Sequence, residues 1–136
     1  MPHFSIEYSA NLDAQVDMAE ICELVRKAAV ETGIFPLGGI RVRAIRCEHY
    51  AIADGKPGYG FLAMLLRLGE GRDLAARQQA GAHIFRALSA HLEPLFAKGR
   101  LALSFDMPSI GSLELCAKAV AETLLISPEP LAPPEL

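Results

Sequence analysis

Thr32-Gly33-Ile34-Phe35-Pro36-Leu37-Gly38-Gly39-Ile40-Arg41-Val42-Arg43 passes from one periodicity to another. Upstream of it, Asp13 to Thr32 carries Val16, Ile21, Leu24, Val25, Ala28 and Ala29 on one helical stripe, with Asp17 and Glu20 at capping-box spacing. Gly33 suits the left-handed position that ends such a helix. Residues 34–39 then read as a loop, and Ile40 to Tyr50 as a strand. Before the helix, His3 to Ser9 alternates, with Phe4, Ile6 and Tyr8 on one face and His3, Ser5 and Glu7 on the other. The first half of the chain is therefore β-α-β.

The second half repeats the order. Asp54-Gly55-Lys56-Pro57-Gly58 is turn chemistry. Tyr59 to Leu68 reads as a strand, apolar on both sides and hence buried. Gly69-Glu70-Gly71-Arg72 connects it to a helix capped by Asp73 and running to about Phe96, where Pro94 ends or bends the last turn. Leu101 to Met107 is a fourth strand, and Ser112 to Ile126 has helical spacing. Ser127 to Leu136 holds four prolines and reads as an extended tail. Residues 1–126 form one domain and 127–136 a Pro-rich C-terminal tail.

A helix between two strands lets them run parallel through a right-handed crossover. The expected class is α+β: two β-α-β repeats forming a four-stranded sheet with two helices on one face, plus a C-terminal extension. The other face of the sheet needs a cover, and a second subunit provides one.

Composition narrows the functional classes. Hydrophobic residues make up 51% of the 136, and mean hydropathy is +0.26, yet no apolar run approaches the ~18 residues of a membrane span. Excess apolar surface points to a subunit interface. A net charge of −3 and no cluster of Lys and Arg exclude nucleic acid as an expected partner. The start lacks a charged region followed by an apolar one, and three scattered cysteines suit reduced thiols, so a cytoplasmic location is expected. His83 and His91 are eight apart, not at the spacing of a helical zinc pair, and no metal or organic cofactor is expected.

Topology gathers three residues. If strands one and two are parallel, their starts share an edge, which brings Pro2 to Arg41. If the two units are related by a pseudo-twofold, strand three runs antiparallel to strand one, and Arg72, just past its end, joins them. Helix amides beside an arginine suit a carboxylate. Plainer readings stand beside these. Arg72 can pair with Glu70 or Asp73, Arg41 can be a strand-surface cation, and proline is tolerated at a strand start. Arg43 shares the face of Arg41.

Several stretches carry a resemblance. Pro2-His3-Phe4, the segment 32–43 and Ala53-Asp54-Gly55 resemble the 5-carboxymethyl-2-hydroxymuconate isomerase family. So do Gly69-Glu70-Gly71-Arg72, Arg77-Gln78-Gln79-Ala80-Gly81 and Leu101-Ala102-Leu103-Ser104-Phe105. The family belongs to the tautomerase superfamily, with 4-oxalocrotonate tautomerase and macrophage migration inhibitory factor. The resemblance covers residues 2–107 and fades beyond.

It implies a homotrimeric, cofactor-independent isomerase acting in the breakdown of aromatic acids. The catalytic N-terminal proline of the family falls on Pro2, and its substrate-binding arginines on Arg41 and Arg72. The implied substrate is an unsaturated 2-hydroxy or 2-oxo acid with two or three carboxylates. Loss of Met1 would make the Pro2 nitrogen a secondary amine, because an acylated proline nitrogen has no basic lone pair. If Met1 stays, the alternative is a non-catalytic trimeric binding or structural protein on the same scaffold.

Overall fold

A computed structural model describes residues 2–69 and 71–108. The expected helix over Ser112 to Ile126 and the tail lie outside the described residues. The elements in chain order are β1 (His3–Ser9), a 3-10 turn (Ala10–Ala14), α1 (Met18–Thr32), a second 3-10 turn (Leu37–Gly39), β2 (Arg41–Cys47), β3 (Gly60–Arg67), α2 (Leu74–His91), α3 (Glu93–Lys98) and β4 (Leu101–Asp106).

The strands form one sheet in the order β2-β1-β3-β4. β1 pairs parallel with β2 and antiparallel with β3, while β3 pairs parallel with β4. The two β-α-β units thus meet back to back along β1 and β3, as a pseudo-twofold requires. Phe4, Ile6 and Tyr8 of β1 lie beside Leu66, Met64 and Leu62 of β3. These residues share one buried core with Ile21 and Val25 of α1 and Ile84 and Leu88 of α2. Each such side chain contributes about 1.5–3 kcal/mol by leaving water.

Element ends follow local chemistry. The α1 helix starts at Met18 and not at Asp13, because Asp17 is the cap: its carboxylate accepts the Ala19 amide at 3.0 Å. Asp13 instead accepts the Tyr8 hydroxyl at 3.0 Å and pairs with Arg46 at 2.7 Å, which holds its segment in the 3-10 turn. Gly33 closes α1 at φ 75, and its amide donates to Val30. The strand expected to reach Tyr50 stops at Cys47. The long second helix divides at Leu92, and Pro94 opens α3, where its missing N–H costs no intrahelical bond.

One expectation of burial changes. Only one side of β3 is buried within the single chain; Phe61, Ala63 and Leu65 on the other side are half-buried. They belong to the face of the sheet turned away from the helices, shared with His3, Ser5 and Glu7.

Candidate active site

Pro2 is buried just ahead of β1, and its carbonyl accepts the Arg41 amide at 3.1 Å. That bond extends the β1–β2 ladder one residue beyond the His3–Arg41 pair. On the other side of β1, His3 lies opposite Arg67, the last residue of β3. The starts of β1 and β2 and the end of β3 therefore share one edge.

Arg72 follows β3 by five residues, immediately before the Asp73 cap of α2. Its Nε donates to the Ile34 carbonyl at 3.0 Å, and Nη1 reaches the Gly69 carbonyl at 3.4 Å. The guanidinium carbon lies 5.3 Å from the centroid of the Phe35 ring. That ring meets Phe4 edge to face at 6.2 Å. Pro2 and Arg72 are thus linked through Phe4, two residues past Pro2, and the loop after α1. An open recess beside Arg72 is lined by Gly33, Ile34, Phe35, Pro36 and Gly71.

Asp73 does not neutralise Arg72. Its carboxylate accepts the Ala76 amide at 2.7 Å as the cap of α2. Among the described residues, no carboxylate lies within ion-pair distance of the Arg72 guanidinium. Glu70, the other sequence candidate, is outside them.

Arg41 is divided between its backbone and its side chain. The backbone is bonded to Pro2, but the exposed guanidinium donates to the Gly38 and Ile40 carbonyls at 2.7 and 3.1 Å. Its register with His3 puts it on the face away from the helices. Arg43 lies on that face too, donating to the Ser5 hydroxyl at 3.2 Å and lying 3.0 Å from His3 Nδ1. Burial, with the Arg43, Arg67 and Arg41 guanidiniums added, pushes His3 below its ordinary value of 6.5.

Two contributors escaped the reading of the sequence. Arg67 carried a signal, as the last position of a period-two strand running antiparallel to β1. Phe35 carried little, because an aromatic residue in a loop does not announce which cation it meets. The helical histidines serve to join helices: His83 Nε2 is 2.7 Å from Glu31, and His91 Nε2 is 3.4 Å from Glu20.

The defining pattern of the 5-carboxymethyl-2-hydroxymuconate isomerase family matches residues 2–121. The chain belongs to that family. It is 38% identical over 110 residues to 5-carboxymethyl-2-hydroxymuconate Delta-isomerase of Escherichia coli, covering 81% of this chain and 87% of the relative. A crystal structure of a 5-carboxymethyl-2-hydroxymuconate delta-isomerase superposes with a TM-score of 0.75 at 36% identity, over 85% of this chain and 91% of the other. A fused 4-OT, described as a symmetric trimer, shares the fold at a TM-score of 0.54 and 17% identity, over 78% and 85% of the two chains. As a 5-carboxymethyl-2-hydroxymuconate isomerase family member, the chain is an isomerase of the tautomerase superfamily, and its sheet and two main helices are the superfamily's architecture.

Proposed function

We propose that this isomerase shifts a proton along an unsaturated 2-hydroxy or 2-oxo di- or tricarboxylic acid, with the Pro2 nitrogen as base and then acid. The observation that carries this reading is the shared sheet edge: a buried Pro2 bonded to the backbone of Arg41, with Arg72 linked to it through Phe4 and Phe35.

Loss of Met1 leaves Pro2 a secondary amine. A free α-amine titrates near ~8, so a base for neutral pH needs a lowered value. Burial disfavours the ammonium form, and so do nearby guanidiniums. The amine takes the proton of the 2-hydroxyl, the electron pair moves along the conjugated chain, and the same ammonium returns the proton to a distant carbon. Arg72 binds one carboxylate and Arg41 another. Both guanidiniums stabilise the dienolate as its charge spreads. To reach a substrate beside Pro2, the Arg41 side chain leaves the Gly38 and Ile40 carbonyls. No cofactor enters the scheme.

The natural form is a homotrimer in the cytoplasm, active in the breakdown of aromatic acids. The half-buried apolar residues on the open face of the sheet support a subunit interface, and the trimeric fused 4-OT of the same fold fits that assembly.

The test combines two measurements. Intact mass of protein from its native host should show loss of Met1. Ultraviolet assay with 2-hydroxymuconate-type dienols should then show Pro2→Ala losing about 10²–10⁴-fold in kcat, the usual range of general acid–base catalysis. Full activity in Pro2→Ala would remove the mechanism, and a retained methionine would favour a non-catalytic binding protein.

A further inference from the structure

We infer that Phe35 is a positioning residue for Arg72, fixing the guanidinium that receives a substrate carboxylate. The inference rests on the proposed reading of Arg72 and names what holds that side chain in place.

Arginine has a long stem and loses side-chain freedom when it is ordered, so an anion site built on it gains from being organised beforehand. Three contacts organise Arg72: the Ile34 carbonyl on Nε, the Gly69 carbonyl on Nη1, and the Phe35 ring 5.3 Å from the guanidinium carbon. All three partners are uncharged. They fix the side chain while leaving its full positive charge for an anion, which a carboxylate partner would not. Among the described residues the Arg72 hydrogen bonds run through Nε and Nη1, not Nη2, and a guanidinium so engaged still has N–H groups to offer.

The platform is itself fixed. Phe35 is 8% exposed and meets the fully buried Phe4 ring edge to face, with an interplanar angle of 88°. Phe4 sits two residues from Pro2 on β1, one of the two central strands. Phe35 thus ties the anion-binding cation to the strand that carries the proposed base, and the recess beside Arg72 opens against the same loop. A side chain in this position sets substrate affinity more than the chemical step.

The experiment compares Phe35→Leu and Phe35→Tyr with the native protein. Leucine keeps an apolar side chain against Phe4 but removes the ring; tyrosine keeps the ring. The expected result is a KM for a dicarboxylate dienol raised about tenfold in Phe35→Leu, between the scales of an exposed and a desolvated cation–π contact, as suits a half-buried Arg72. Its kcat should stay within about threefold on the same reasoning. Phe35→Tyr should restore native KM. In parallel, adipate titration followed by NMR at the Arg72 Hε resonance should show weaker binding in Phe35→Leu and native binding in Phe35→Tyr. Native KM and unchanged adipate affinity in Phe35→Leu would overturn the inference, while activity lost in Pro2→Ala would leave the proposed reaction standing. If the native protein fails to turn over the dienols, the reaction is wrong, and the adipate affinity still decides the role of Phe35.

Discussion

The carbonyl of Pro2 accepts the backbone amide of Arg41 at 3.1 Å, while the Arg41 guanidinium is turned away onto the carbonyls of Gly38 and Ile40. Arg72 is the opposite case. Its backbone belongs to another β-α-β unit, yet its side chain reaches across to Ile34 and Phe35. The two arginines are therefore not equivalent, and substitution should separate them.

Arg72→Ala should raise the KM for a dicarboxylate dienol by about 10²-fold, as expected for loss of a charge-assisted bidentate contact. Arg72→Lys should recover little, because an ammonium cannot span the Ile34 and Gly69 carbonyls and still present a fork. Arg41→Ala should cost less in KM, about tenfold, since its side chain must first leave its own loop. Steady-state kinetics on the three variants check the order. Equal losses in Arg41→Ala and Arg72→Ala would contradict it.

The sign of the pH dependence at His3 follows from its depressed folded-state value. The unfolded chain takes a proton near the ordinary value of 6.5, whereas folded His3 stays neutral to lower pH. Stability from this residue is present in full above 6.5 and falls as pH drops from there through the folded value. His3→Gln should flatten that fall. Urea unfolding of both proteins at pH 7.5 and 5.5 measures it, and an unchanged acid-side slope would count against the effect of Arg43 and Arg67.

At the far end of the sheet, a Cβ on Gly60 would lie 3.0 Å from Leu12 Cδ2 and 3.3 Å from Ser9 Oγ. Both neighbours are buried, and Ser9 is held by the Phe61 amide at 3.0 Å. Gly60→Ala should destabilise by about 1–3 kcal/mol through overpacking. Gly38 is a matched control, because a Cβ there meets nothing within 4 Å. Gly38→Ala should be neutral or gain about 0.4–1 kcal/mol from a less flexible unfolded chain. Denaturant midpoints compare the two.

Leu65 lies opposite Ser5 and beside Asp106 on the face of the sheet away from the helices, and is half-buried in the single chain. Leu65→Asp should dissociate the proposed trimer, because a carboxylate buried at an interface loses its water without a partner. Sedimentation should show the mass dropping to that of one 14.7 kDa chain. A trimer that persists would move the interface elsewhere.

Much of the fold was legible because its periods are local. Alternation at Phe4, Ile6 and Tyr8 gives β1, and the stripe through Ile21, Val25 and Ala28 gives α1. Gly33 marks the end of α1 through a conformation that other residues avoid. The start of α1 was less legible. The sequence extends the helix back to Asp13, and only its partners Tyr8 and the distant Arg46 show why Asp13 leaves it.

By itself the sequence determined the repeated β-α-β order and the residues on each face of β1, and, with a pseudo-twofold assumed, it pointed Pro2, Arg41 and Arg72 toward one sheet edge. These follow from chain stereochemistry and from which side chains avoid water. The tertiary structure decided where the guanidiniums point: Arg41 back onto its own loop, Arg43 to His3, and Arg72 over Phe35. A flexible arginine has many rotamers of similar energy, so its direction is chosen by carbonyls and rings that only packing brings near.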